Sequence, residues 1–246
     1  MRIPDELEDK IANEINNIKL TDLRDTAKIL SDRYMNAKRT GQSLLNKNLE
    51  VLAYSIIRMP ATFCAINKAL EETLKRYNPN IKTVLDIGSG TGAGEWAVLS
   101  NIDVEEITCI EREKEMENMA RKLLEGHNNI NWKNQDIVQS NITDKADLVI
   151  TSYMINELKE ASKEKVIKDI LQAFNKLVIF IEPGTPEGFN NIRKVQRLAI
   201  ESNLNIIAPC TCQSECRLPA DDWCHSIVRV ERSKVHKFVK DADVPY

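Results

Sequence analysis

The sequence has no apolar run close to the roughly 18 residues needed to cross a bilayer, and its first residues, Met1-Arg2-Ile3-Pro4-Asp5-Glu6, contain no apolar stretch like that of a signal peptide. These two absences exclude membrane insertion and secretion as starting readings, so the expected location is the cytoplasm. An excess of basic charge is also missing: 34 Lys and Arg stand against 37 Asp and Glu, for a net charge of -3. That excludes a chain coated with positive charge, and any contact with nucleic acid has to use a local patch. Glycine and proline are scarce, with eight of each in 246 residues, which excludes long disordered tracts. There is no internal repeat. A chain of this length buries a sizeable core without covalent staples. In a reducing compartment its six cysteines are therefore expected to be thiols or metal ligands, not disulfides.

The hydrophobic pattern divides the chain into three parts. Residues 1–80 read as helical. Asp5 is placed to cap a first helix, and Leu23, Ala27, Leu30 and Tyr34 recur at helical spacing over Leu20 to Met35. A polar stretch from Asn36 to Asn48 carries Lys38, Arg39 and Lys47. Leu49 to Tyr77 then reads as one or two helices, with Pro60 at a break or in a first turn. Residues 81–209 alternate short apolar runs with helical ones. The strands are Thr83 to Ile87, Ile107 to Ile110, Ile130 to Trp132, Leu148 to Ile150, Leu177 to Ile181 and, sixth, Asn205 to Ala208. Helices are expected over Gly94 to Leu99, Lys114 to Leu124, Lys163 to Phe174 and Phe189 to Glu201. This alternation predicts an α/β fold, a parallel sheet covered on both faces. Residues 210–246 form a cysteine-rich segment.

The strongest ligand signal is Asp86-Ile87-Gly88-Ser89-Gly90-Thr91-Gly92-Ala93-Gly94, which follows a predicted strand and opens a predicted helix. Glycine permits positive φ and close approach of a ligand to the backbone. Glu111 ends the next strand, where a carboxylate suits a ribose hydroxyl. A dinucleotide and S-adenosylmethionine both fit this arrangement. Asp86 favours the second, because a carboxylate two residues before the first glycine can receive the ammonium of the methionine moiety and serves an anionic pyrophosphate poorly. Gln135 and Asp136, after the third strand, fall where an adenine amino group can be held. The fold class is therefore a Rossmann-like class I methyltransferase sheet with a helical N-terminal extension and a cysteine-rich metal-binding C-terminal segment. Two competing readings stand beside it: a glycine turn kept for strand–helix packing, and a fold that no longer binds cofactor.

Methyl transfer is an in-line displacement at a sulfonium, for which an enzyme mainly positions the nucleophile and excludes water. Candidates belong at the carboxyl ends of the fourth and fifth strands. Ser152, Tyr153 and Asn156 follow the fourth and can orient a polar substrate; Tyr153 can also stack on a base. The alternative is that Asn156 and Glu157 start or cap a helix. The Asn-Pro-Pro-Tyr element of amino methyltransferases is absent. After the fifth strand comes Glu182-Pro183-Gly184-Thr185-Pro186-Glu187-Gly188, either the border of a ligand site or a plain strand-to-helix connection.

Cys210, Cys212, Cys216 and Cys224 fall within one short stretch. Four thiolates suit zinc or an iron–sulfur cluster. Zinc sites usually show Cys-x-x-Cys knuckles, and none occurs here. The irregular spacing and the nearby Pro209 and Pro219 are compatible with a 4Fe-4S cluster, with zinc as the alternative. His225 can replace one ligand, and four cysteines that hold no metal are the plain alternative. Arg217, Arg229, Arg232, Lys234, Lys237 and Lys240 make this the most basic stretch of the chain, suited to phosphate contacts or to a solvated helix face.

Together these residues resemble the methyltransferase-like family of the small ribosomal subunit, which includes the mitochondrial assembly factor methyltransferase-like protein seventeen and its bacterial relatives. The stretches that carry the resemblance are Leu30 to Tyr34, Ala53-Tyr54 through Arg58-Met59-Pro60-Ala61-Thr62, and Asp86 to Trp96. Ser152 to Leu158, Glu182 to Phe189, Ala208-Pro209-Cys210 and Trp223-Cys224-His225 complete the set, which keeps its order over nearly the whole chain. The resemblance implies a role in small-subunit maturation or translation, a 4Fe-4S cluster at the cysteines, and the small ribosomal subunit or its rRNA as partner. Off the ribosome a monomer is expected. Within this reading the chain is an rRNA methyltransferase or a non-catalytic assembly factor; a small-molecule methyltransferase is the further alternative. The cysteine spacing varies in the family. The chain stops at Val244-Pro245-Tyr246, where the family implies a further strand pairing antiparallel at the sheet edge.

Overall fold

The structure, a computed structural model, describes residues 1–36, 48–219 and 221–240. The polar stretch over 37–47 and the final Val244, Pro245 and Tyr246 lie outside the described residues, as do the side chains of Arg33 and Tyr34. Four helices come first: α1 (Asp5–Ile15), α2 (Leu20–Asn36), α3 (Asn48–Ile57) and α4 (Met59–Leu74). Asp5 does not cap α1. Pro4 takes that place, its extended backbone entering the helix without a side-chain cap, and Asp5 is the first helical residue. Pro60 sits in the first turn of α4, where its missing N–H would have had no intrahelical partner.

The sheet is built from β1 (Thr83–Ile87), β2 (Glu106–Glu111), β3 (Ile130–Asn134), β4 (Ala146–Ser152) and β5 (Phe174–Ile181). Its order is β3-β2-β1-β4-β5 and every pair is parallel. Between the strands run α5 (Ala93–Leu99), α6 (Lys114–Leu123) and α7 (Glu160–Gln172), and α8 (Pro186–Glu201) follows β5. Strand periodicity sorts each side chain to one of two cores. Val84, Ile107, Cys109, Leu148, Ile150, Leu177 and Ile179 share a core with α1 to α6. Leu85, Ile87, Ile110 and Val149 pack under α7 and α8. The helices of 1–80 thus bury their apolar stripes in the same core as one face of the sheet. Strand order reverses between β1 and β4, which places a crevice at the carboxyl ends of those strands.

The expected sixth strand over Asn205 to Ala208 does not form. Gln213 bonds the backbone of Ile206 from both sides, its Oε1 accepting from the Ile206 N–H and its Nε2 donating to the Ile206 carbonyl, each at 2.9 Å. A side chain thereby satisfies the groups that a neighbouring strand would pair, and among the described residues the sheet ends at β5. Among its described residues the cysteine-rich segment runs without regular structure to α9 (Lys234–Lys240), which packs on α2 and α3 and buries His236 and Val239. Among the described residues no single helix is long and apolar enough to cross a membrane. The pair α3 and α4 would pass such a test together, but it is bent by 49° and its apolar residues lie in the core.

Candidate cofactor site

The glycine loop closes β1 against β2. The amides of Gly88 and Ser89 both donate to the carbonyl of Ile110, at 2.8 and 3.2 Å. Gly88 is required twice over: its φ is +79°, and a Cβ there would stand 2.9 Å from Met154 Cγ. Gly92 serves packing, since a Cβ on it would meet Leu124 Cδ1 at 2.8 Å. Glu111, buried at the end of β2, organises the loop. One carboxylate oxygen accepts from the Gly90 amide and the other from the Glu113 amide, both at 2.8 Å. Burial raises its pKa, and these two backbone bonds act against the rise.

Asp86 lies under the first turn of α5, which follows the loop directly. It is 2% exposed, and neither of its oxygens has a hydrogen-bond partner among the described residues. A Cβ on Gly94 would stand 1.9 Å from Asp86 Oδ2, so α5 lies directly on the carboxylate. Behind it is fully buried Glu95, whose Oε1 accepts from the Cys109 thiol at 2.8 Å. Burial pushes Glu95 up to about 7. Asp86 is also held well above the usual carboxylate range, first by burial and then by Glu95 and Glu111.

A cavity of about 110 Å³ opens at the switch point between β1 and β4. Of the residues singled out by sequence, Gly88, Gly90, Glu111, Gln135, Asp136, Ser152 and Tyr153 line it. Asp86, Ser89, Gly92 and Asn156 lie outside its lining. Asp136 shapes the far wall by accepting from the Val138 amide at 2.9 Å. Tyr153 holds a left-handed backbone, φ 59°, unusual for so large a residue, and its amide donates to the Ile181 carbonyl at 2.7 Å. The alternative reading, that Asn156 and Glu157 start or cap a helix, holds only in part. They belong to a short 3₁₀ turn, Ile155–Glu157, and α7 begins later at Glu160 without a side-chain cap.

That turn is fastened from β5. Glu182, just past the strand, accepts from the amides of Ile155 and Asn156 and from Asn191 Nδ2 at 2.9 Å. Asn191 in turn accepts from the buried Lys163 amine at 2.9 Å. Burial pushes Glu182 up to about 7. The sequence marked the turn after β5, but the tie between Glu182 and the loop after β4 needs three elements brought together. Tyr54, on α3, and Met116, on α6, also line the cavity; Tyr54 falls in a stretch that carries the family resemblance, but no local pattern assigned either residue to the site.

The cysteine segment lies against the same end of the sheet. Trp223 Nε1 donates to the Gly184 carbonyl at 3.3 Å, and His225 covers Gly184 so closely that a Cβ there would sit 3.2 Å away. Cys210, Cys212 and Cys224 are exposed and Cys216 is half-buried. Cys212 Sγ lies 2.9 Å from Ser214 Oγ. Among the described residues no three His, Cys, Asp or Glu side chains are gathered to hold a metal ion, so this arrangement of the four thiols does not form a cage.

The sequence pattern of the family described as mitochondrial small ribosomal subunit Rsm22 matches residues 48–246. The chain belongs to the Rsm22 family. It is similar to the human ribosome assembly protein METTL17, mitochondrial, at 24% identity over 187 residues, which is 67% of this chain and 40% of that protein. The chain therefore spans about two fifths of that relative's length. Among solved structures, an S-adenosylmethionine-dependent methyltransferase from Clostridium acetobutylicum overlays with a TM-score of 0.47 at 18% identity, covering 56% of this chain and 57% of that one. A putative methyltransferase from Methanococcus maripaludis overlays with a TM-score of 0.46 at 19% identity, covering 66% and 76%. The parallel sheet order β3-β2-β1-β4-β5 is read from the chain's own topology.

Proposed function

We propose that this Rsm22-family chain binds S-adenosylmethionine in the cavity at the switch point and acts on the small ribosomal subunit during assembly, with methyl transfer to its rRNA as the reaction the site suits. The observation that carries the proposal is the sign of the site. Glu111, Glu113, Asp136 and Glu157 line the cavity, and the one cation among its lining residues is Arg112. Arg112 is already paired with Glu113 at 3.1 Å. Such a field favours a sulfonium and an ammonium and opposes a pyrophosphate.

Bound S-adenosylmethionine supplies a methyl group activated by its sulfonium. Glu111 shapes the loop that receives the ribose end, Gln135 and Asp136 border the adenine end, and Ser152 and Tyr153 line the side a nucleophile reaches. Glu182 and Asn191 hold the Ser152–Leu158 loop still, which is what an in-line displacement requires. Calorimetry tests the binding. S-adenosylmethionine should bind the wild type, and Glu111→Ala should weaken it by about tenfold or more, because the carboxylate that anchors Gly90 is lost. Preference for a nicotinamide dinucleotide would reject the assignment. Incorporation of labelled methyl into isolated small subunits tests the reaction.

The partner proposal rests on the C-terminal segment, where Arg217, Arg229, Lys234 and Lys237 are exposed. Phosphate contacts release counterions, so binding to small subunits should fall steeply with salt. Arg229→Glu combined with Lys237→Glu should weaken binding and flatten its salt dependence, while calorimetry with S-adenosylmethionine stays unchanged. Equal binding at every salt concentration would reduce this stretch to a solvated face. The cysteines carry a separate proposal, a 4Fe-4S cluster with zinc as the alternative, supported by the density of thiolates in the sequence. Protein purified without oxygen should hold about four irons per chain, and a protein without bound metal would reject it.

A further inference from the structure

The helices of 1–80 carry no motif that links them to cofactor chemistry, yet one of them reaches the cavity. We infer that Tyr54, presented by α3, is a positioning residue for the cofactor: its ring closes the wall of the cavity opposite the glycine loop and sets how tightly S-adenosylmethionine is held. This inference rests on the binding reading above.

Three observations carry it. Tyr54 lines the cavity together with Gly88, Gly90, Glu111 and Tyr153, although it lies more than thirty positions before the loop and on another element. Its helix is fixed at both flanks, because Val51, Leu52, Ala53, Ile56 and Ile57 are buried in the shared core and α3 also packs on α6 and α9. The ring is therefore delivered to the cavity by rigid packing and not by a loop, as precise positioning requires. The phenol lies within electrostatic reach of Glu157, Arg58, Glu111 and Tyr153. Burial first, and Glu157 next, hold the phenol in its neutral form. Tyr54 thus offers a large uncharged aromatic surface inside a negatively charged site. That surface is suited to excluding water from the cofactor and to facing a cationic group. A charged side chain in the same place would oppose either the cofactor or the acids around it.

The experiment compares four proteins by calorimetry with S-adenosylmethionine: wild type, Tyr54→Ala, Tyr54→Phe and Leu52→Ala. Leu52 is on the same helix, 2% exposed, and belongs to the apolar core, so its truncation loosens α3 without touching the cavity. Binding is measured well below the melting temperature of each variant. Tyr54→Ala should weaken binding by about tenfold or more, Tyr54→Phe should keep it within about threefold, and Leu52→Ala should lower the melting temperature while leaving affinity near that of wild type. Wild-type affinity in a folded Tyr54→Ala overturns the inference. So does an equal loss in Tyr54→Ala and Leu52→Ala, since the effect would then be general loosening, and so does a Phe variant as weak as the Ala variant. A wild type that binds no S-adenosylmethionine overturns the binding reading itself, an outcome distinct from these three.

Discussion

Gly188→Ala is expected to destabilise the protein by about 3 kcal/mol or more, lowering its melting temperature by roughly 6–12 °C. A Cβ at that position would stand 2.0 Å from the Pro183 carbonyl oxygen, 2.9 Å from Pro183 C and 3.0 Å from Pro183 N. All three are backbone atoms of a turn with two prolines, so no side chain can swing aside. The first turn of α8 would have to lift away, and with it the cap in which Thr185 Oγ1 accepts from the Gly188 amide at 3.1 Å. Because Asn191 on the same helix holds Glu182, the loop after β4 would lose its anchor as well. Gly126→Ala is the control. Its φ of +98° imposes backbone strain, but a Cβ there meets nothing within 4 Å, and a cost of about 1 kcal/mol is expected. Urea and thermal unfolding measure both. Equal losses in the two variants would show that the contact with Pro183 does not govern the turn.

The second large effect is in pH. Glu95 is 0% exposed, and burial moves its pKa from 4.5 up to about 7. The native state therefore binds the proton more tightly than the unfolded chain. The stabilising contribution is complete below pH 4.5 and is lost as the pH rises to about 7, a change on the order of 3 kcal/mol for Glu95 with its coupled neighbours. Asp86, Glu111 and Glu182 shift in the same direction, so the melting temperature should fall between pH 5 and pH 8. Glu95→Gln keeps an oxygen for the Cys109 thiol and needs no proton. It should be more stable than wild type at pH 8 and should flatten the pH slope by about that same 3 kcal/mol. An unchanged slope would remove Glu95 from the account. Under the proposed function the affinity for S-adenosylmethionine runs the opposite way, rising over this window as the acids ionise around a cationic ligand.

Much of the fold was legible because most strands of the sheet carry a short apolar run bounded by polar residues. Thr83–Ile87 ends in a glycine cluster, and Ala146–Ser152 has buried residues on both faces, as an interior parallel strand must. The extra strand at Asn205 to Ala208 was misread because its apolar residues mimic strand periodicity, whereas Gln213, in a later turn, claims the backbone of Ile206. The site was legible in part for the same reason. Gly88, Gly90 and Glu111 belong to one local strand–turn–helix unit, so their spacing alone brings them together. Asp86 belongs to that unit too, but the direction of its side chain follows from which face of β1 meets α5, and that depends on packing.

By itself the sequence determined the order of the five strands and of the helices between them, the place of the glycine loop and the carboxylate at the end of β2. These follow from local periodicity and from the backbone freedom of glycine, which act over a few residues. Only the tertiary structure decided that Tyr54 of α3 walls the cavity, that Glu182 after β5 fastens the loop after β4, that Glu95 and Asp86 share one buried pocket, and that Trp223 rests on Gly184. Each of these joins residues far apart in the chain, and burial in a common core, not any local preference, sets which of them meet.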